Sequence, residues 1–232
     1  LDGSAVSYVG VEAVIDYTPS AARNFTLDSL FAGNHAMRTR NASGAGNSLF
    51  ESDGTSTFGV FAFENPASNL AFNSGPGDNT FTLTPMDSTL TAAVTVNAGG
   101  GDDIVDAATY PTSLTINGDD GADLLGGGLG DDTVNGGAGN DSPGGGQGDD
   151  LLDGGTGVDI VTESLDANYQ LTDNQLVTGL VVGGSTDTDT LTAIEQASLT
   201  GGVSANSFDA SGFGGSVTLN GAGGDDTMIG SA

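Results

Sequence analysis

The sequence predicts an all-β solenoid, and three observations predict it. A nonapeptide unit, Gly-Gly-x-Gly-x-Asp-x-U-x with U a large apolar residue, recurs without insertion from Gly118 to Thr162. A longer unit of strand, Asn, Gly-rich turn, acid and strand recurs around it, its copies starting at Leu70, Val94, Leu114 and Val217. The chain is also poor in core-forming residues. Leu, Ile, Val and Phe supply 52 of 232 positions, close to the roughly 20% below which burial alone does not fold a chain. Short units that cannot bury a core singly must stack on their neighbours.

Charge narrows the function. Three basic residues face 31 acidic ones, a formal charge of −28. Such a chain repels phosphate, which argues against nucleic acid and anionic membrane surfaces as partners. Without Cys there is no disulfide scaffold, thiolate zinc site or cysteine nucleophile. No stretch approaches roughly 18 apolar residues, so no helix inserts into a membrane. A bound divalent cation would offset both chain entropy and carboxylate repulsion. Leu1 is neither an initiator Met nor the start of a signal peptide, so the chain reads as a segment of a longer precursor.

Taken in order, residues 1–69 form a β-rich, solenoid-like segment. Thr57–Phe63 reads as a strand after an Asp53-Gly54 turn. Residues 25–50 carry His35, Arg38 and Arg40 and read as a solvated loop capping the solenoid rather than a contact patch. Asn24, Asn47, Asn73, Asn97 and Asn117 recur at nearly even intervals, which carries the coils back towards the start. The second unit, 70–162, begins with Leu70–Phe81, Val94–Val105 and Leu114–Leu125, whose acid positions fall at Asn79, Asp103 and Asp123. Their longer coils take an extra turn without acid at Pro85-Met86 and at Tyr110-Pro111. Five nonapeptides follow in phase, with Asp123, Asp132, Asp141, Asp150 and Asp159 at the sixth position. Asp119 stands in for a glycine and Pro143 for the apolar residue. Residues 163–200 form an inter-block β segment, with two strands around Thr172-Asp173-Asn174. Residues 201–232 start a second block, with Asp226 in the acid position. A fainter repeat relates Val11-Glu12 and Asn24, near the start, to Ile194-Glu195 and Asn206, near the end.

The unit has the makings of a metal site. Glycines permit positive φ, so a tight turn can aim several carbonyls inward. Calcium takes about six to eight oxygens, mixing carboxylates with carbonyls. The x-U-x portion is a short strand with one residue pointing in.

The five in-phase units resemble the RTX, or haemolysin-type, calcium-binding repeat. That resemblance implies a right-handed parallel β-roll with two nonapeptides per coil and Ca²⁺ held between the turns of adjacent coils. It implies that Asp123 faces Asp141, Asp141 faces Asp159 and Asp132 faces Asp150, with Asp103 extending the first edge to Asp123. About four ions or more follow, Asn79 and Asp226 being weaker or incomplete positions. Asp141 alone would have partners both above and below in this run. Phe81, Val105, Leu125, Val134, Leu152 and Val161 form the apolar ladder, which Pro143 interrupts, distorting its coil. The acids at Asp102, Asp131, Asp149, Asp106 and Asp153 read as a solvated rim.

Catalysis finds no support. One His excludes H-E-x-x-H, and no G-x-S-x-G elbow is present. An ice-binding face needs a regular Thr rank, which the seventh positions do not supply. Asp189–Ser211 is similar to segments flanking RTX blocks in long bacterial surface proteins, implying a tandem array. The expectation is therefore a calcium-dependent structural segment of a secreted or cell-surface bacterial protein, such as an adhesin stalk, surface layer or filament. Its open sheet edges would suit end-to-end self-association or a homo-polymer. A carbohydrate-binding module for surface glycan is the alternative, recognisable by exposed aromatics in a groove.

Overall fold

From residue 69 to residue 164 strands alternate between two faces as the chain advances, because each turn carries it across after a short run. The computed structural model describes residues 13–16, 22–26, 36–41, 47–52, 60–86, 88–180 and 186–231, with backbone alone up to residue 64. The first strands are β1 (Ala13–Asp16), β2 (Ala22–Thr26), β3 (Ala36–Asn41), β4 (Asn47–Ser52) and β5 (Val60–Glu64). Coils then follow in pairs: β6 (Asn69–Asn73) with β7 (Thr80–Thr82), β8 (Ala93–Gly100) with β9 (Ile104–Asp106), and β10 (Leu114–Asp120) with β11 (Leu124–Gly126). The nonapeptides continue with β12 (Thr133–Ala138), β13 (Ser142–Gly144), β14 (Leu151–Thr156) and β15 (Ile160–Ser164). Next come β16 (Ala167–Thr172), β17 (Gln175–Leu180), β18 (Thr186–Thr192) and β19 (Gln196–Thr200). The last are β20 (Ser207–Gly212), β21 (Ser216–Asn220) and β22 (Thr227–Ile229).

One face runs β1-β5-β4-β3-β7-β9-β11-β13 and resumes as β15-β19-β21; the other runs β2-β6-β8-β10-β12-β14-β18-β17-β16-β20-β22. Pairing between successive coils is parallel, as in Leu114↔Val94 and Leu125↔Val105. The chain is an all-β parallel solenoid, as the sequence predicts. Among the described residues antiparallel pairing enters only through β4 and β17.

The core is one side chain thick. Strand alternation turns Val94, Val96 and Ala98 inward from β8 and Leu114 and Ile116 inward from β10. Phe81, Val105, Leu125, Val134, Leu152 and Val161 are all at most 2% exposed. The two acid-free turns are sealed by buried Met86 and Tyr110.

Pro143 acts differently from expectation. It is buried and stays in register with Leu125, so its own coil is undistorted. The break falls on its other side, where the first face divides between β13 and β15. Ile160 N–H still donates to Asp141 O at 2.9 Å, but the N–H of Pro143 that would extend the ladder does not exist.

Other expectations meet the structure unevenly. Two antiparallel strands, β16 and β17, do flank Thr172-Asp173-Asn174. Tyr169 of β16 anchors that hairpin: its hydroxyl lies 3.0 Å from the Leu165 and Thr200 carbonyls, and its ring stacks on Phe208. Arg38 and Arg40 lie in strand β3 instead of a loop, while His35 and the Asp53-Gly54 turn lie outside the described residues. Asn73, Asn97 and Asn117 stack in register with Asn135, each amide donating to the one before it at 2.5–2.7 Å. Asn24 pairs with Ala71, out of step with that file, and Asn47 sits on the opposite face. Both copies of the faint repeat place a strand after the Glu on the first face and one near the Asn on the second.

Candidate metal centre

The sixth-position acids line the two edges where the chain passes between faces. Asp103, Asp123, Asp141 and Asp159 immediately precede β9, β11, β13 and β15 on the first edge; Asp132 and Asp150 precede β12 and β14 on the second. All six are 0–3% exposed.

Each accepts a backbone bond from the coil before it. Asn79 N–H donates to Asp103 Oδ1 at 2.6 Å, Asp103 N–H to Asp123 Oδ1 at 2.8 Å, Asp123 N–H to Asp141 Oδ1 at 2.9 Å and Asp141 N–H to Asp159 Oδ1 at 2.7 Å. On the second edge Leu114 N–H donates to Asp132 Oδ1 at 2.9 Å and Asp132 N–H to Asp150 Oδ1 at 2.7 Å. This leaves the second oxygen. Oδ2 of Asp103, Asp123, Asp141, Asp150 and Asp159 is buried with no hydrogen-bond partner, a costly state for a carboxylate with nothing to compensate it.

Those of Asp123, Asp141, Asp150 and Asp159 point at glycine, whereas by register the buried Ala98 stands in the equivalent place beside Asp103. A Cβ on Gly136 would lie 2.5 Å from Asp141 Oδ2 and 2.5 Å from the carbonyl of Gly154, the equivalent glycine of the next coil. Gly118 stands in the same relation to Asp123 Oδ2 and Gly136 O, and Gly127 to Asp132 Oδ2 and Gly145 O. Each missing side chain therefore leaves a cradle lined by a carboxylate from one coil and a carbonyl from the next. The tight turn beside it needs positive φ at its second glycine, +116° at Gly137; Asp119 adopts +74° in the equivalent place, which Asp tolerates better than most residues.

Electrostatics tell the same story. Burial, reinforced by neighbouring acids, pushes the carboxyls of Asp103 and Asp150 up to about 7 and of Asp123 up to about 6. Burial also raises Asp132, Asp141 and Asp159. No basic residue follows Arg40 in the chain. Among the described residues no three acids converge to hold a metal by themselves, so carbonyls must complete each shell.

A family model for the RTX calcium-binding nonapeptide repeat matches residues 90–109, 115–143, 145–162 and 210–232. The chain carries RTX calcium-binding repeats. No curated protein matches it. An RTX β-roll binds calcium and is a structural fold, not a catalytic one. The donor set fits: carboxylate oxygens beside backbone carbonyls, unpartnered except for Asp132 Oδ2, which accepts Gly128 N–H at 2.6 Å, are hard oxygen ligands of the kind Ca²⁺ takes. Asp103, Asp123, Asp132, Asp141, Asp150 and Asp159 are the residues that would hold it, and the ion would supply charge neutralisation and cross-coil bridging.

At the margins of the RTX block the acid position changes character. Asn79 is 1% exposed, and its amide donates to Gly77 O and, at 3.4–3.5 Å, to Gly75 O and Ala98 O. An N–H there does to the carbonyls what a cation would do in later coils. Asp226 accepts Asn206 N–H at 2.8 Å and faces Gly221, which repeats half of an RTX cradle. Of the five rim acids four are exposed and Asp153 is half-buried. Asp102, Asp131 and Asp149 are exposed and each accepts a backbone N–H from an adjacent coil at 2.8–3.1 Å.

Sequence reasoning missed four acids. Asp189 Oδ1 accepts Asp150 N–H at 3.1 Å, so Asp150 too has neighbours on both sides and Asp141 is not alone in that. Asp187 and Asp189 are inward-facing on β18, and Glu163 is also buried. Burial and the surrounding acids push Asp189 up to about 8 and Glu163 up to about 7. Glu195 Oε2 accepts Asp159 N–H at 2.9 Å. The Thr-Asp-Thr-Asp-Thr-Leu run at 186–191 alternates with period two, which was the available signal for Asp187, Asp189 and Leu191 sharing a face.

Proposed function

We propose that this chain is a calcium-dependent structural segment of a secreted or cell-surface bacterial protein, of the kind that forms an adhesin stalk, surface layer or extracellular filament. Calcium in the RTX cradles drives its folding, with Asp103, Asp123, Asp132, Asp141, Asp150 and Asp159 as ligands, about four ions or more in all. Asp226, with half of such a cradle beside it, is a further, incomplete position. The observation that carries this reading is the row of buried, unpartnered Oδ2 atoms, those of Asp123, Asp141 and Asp159 each beside a carbonyl of the next coil. Among the described residues β21 and β22 stand last in their sheets, and edge strands of this kind support end-to-end self-association. The glycan-binding alternative draws no support from the aromatics: all six with described side chains, Phe72, Phe81, Tyr110, Tyr169, Phe208 and Phe213, are at most 3% exposed.

Antibodies to the β-roll, applied to intact producing cells with and without chelator, test the reading. Surface label that falls when calcium is removed supports it. Label confined to permeabilised cells refutes the location, and chelator-indifferent epitopes refute the calcium dependence.

A further inference from the structure

The RTX pattern stops at Thr162 and the next family match begins at residue 210. Between them, β18 and β19 make a coil that docks directly on the last RTX coil, skipping the β16–β17 hairpin. Leu151 pairs with Thr190 and Asp153 with Thr192, while Val161 pairs with Ala197. By this register Ala193 lies opposite Gly154. Its backbone, at φ +51°, is left-handed, a conformation a non-glycine residue adopts at some cost.

The consequence shows at Gly154. A Cβ there would meet the carbonyl of Ala193 and lie 2.7 Å from Asp159 Oδ2. That is the arrangement at Gly136, where Asp141 Oδ2 and Gly154 O converge, with Ala193 replacing the glycine of the next repeat. Asp159 is 0% exposed and its Oδ2 has no hydrogen-bond partner. Glu195 completes the analogy. Its Oε2 takes the N–H of Asp159 at 2.9 Å, where Asp159 Oδ1 takes that of Asp141 at 2.7 Å. The turn from Ala193 to Glu195 is shorter than the turn from Gly136 to Asp141; the extra methylene of Glu spans part of the shortfall.

We propose that Asp159, the Ala193 carbonyl and Glu195 form a further calcium site, carrying the metal file one coil beyond the nonapeptides. The proposal rests on the calcium-binding reading of the RTX cradles. In this site Asp159 Oδ2 and Ala193 O are ligands, and Glu195 supplies the second negative charge while fixing the N–H of Asp159. The left-handed turn at Ala193 is what aims its carbonyl.

Crystals of the full chain grown with calcium, then exchanged into terbium, locate every ion by anomalous scattering. Native mass spectrometry at saturating free calcium counts ions for wild type and Glu195→Gln, which keeps the acceptor and removes the charge. The expected result is a peak within bonding distance of Asp159 Oδ2 and Ala193 O, and one ion fewer in Glu195→Gln. Peaks at Gly118, Gly127 and Gly136 but none at Gly154 overturn the proposal and leave the RTX reading standing. Peaks at none of the cradles overturn both. An unchanged count in a Glu195→Gln chain whose calcium-bound circular dichroism matches wild type overturns the role of Glu195.

Discussion

Stripping the metal at neutral pH should unfold this chain, and acid should partly restore it. Asp103–Asp123, Asp123–Asp141, Asp141–Asp159, Asp132–Asp150 and Asp150–Asp189 are neighbours across successive coils, each pair tied by one N–H···Oδ1 bond. Two charges one strand spacing apart, ~4.8 Å, repel by about 3.5 kcal/mol at an effective dielectric near 20. Five such pairs exceed the ~5–15 kcal/mol stability of a typical domain. The metal-free fold therefore holds protons: Asp123 sits up at about 6, Asp103 and Asp150 at about 7 and Asp189 at about 8, against roughly 4 in an unfolded chain. A carboxyl raised by folding contributes stability below its unfolded value and loses it as pH climbs through its folded value. Metal-stripped protein should thus show more β signal at pH 5 than at pH 8. Calcium reverses the trend, because its ligands must be ionised, so the calcium midpoint should rise as pH falls. Circular dichroism and denaturant midpoints at both pH values, with and without calcium, measure this. A metal-free chain that folds cooperatively at pH 8, with a midpoint no lower than at pH 5, would refute the reasoning.

Further outcomes follow from single residues. Asp141→Asn and Asp150→Asn should weaken calcium binding to similar extents, by roughly 1.5–3 kcal/mol for a charged acceptor, since both are flanked on two sides; titration calorimetry that finds Asp150→Asn silent would contradict the β14–β18 docking. Gly136→Ala fills a cradle and should cost one ion, and with it about 2.7 kcal/mol of stability at calcium a hundredfold above Kd. Gly126→Ala is its control, its Cβ meeting only Val105 O at 3.4 Å. Asn117→Ala removes two links of the amide ladder and should lower stability by about 2 kcal/mol in calcium-loaded denaturation without changing the ion count.

What the sequence made legible was what repeats. The acid positions of the nonapeptides, the inward ladder and the two acid-free turns stand where the spacing puts them, because stacking in register converts sequence period directly into position. The coil of β18 and β19 was not legible, because β16 and β17 intervene between Asp150 and Asp189 and no period connects the two acids. Glu195 was hidden by residue type and by its shortened turn. Arg38 and Arg40 suggested a solvated loop, yet β3 pairs with β4 and β7, and strand pairing depends on context more than on local residue type. Asn47 matched the spacing by number alone: the antiparallel β3–β4–β5 excursion carries it to the other face.

The β16–β17 hairpin also breaks an equality of length. From β18 to β20 one face passes through β17 and β16, three strand steps, while opposite it β19 pairs with β21 in a single step. Two extra steps at ~4.8 Å make one side about 10 Å longer, across sheets themselves ~10 Å apart. A ribbon with one long side curves towards the short one, like the wedge-shaped stone that turns a course of masonry into an arch. Near the start β5, β4 and β3 lengthen the other face, standing between β1 and β7 where β2 meets β6 directly. The two wedges point in opposite senses, with three extra steps on the first face near the start and two on the second face near the end, so the second offsets part of the turn made by the first.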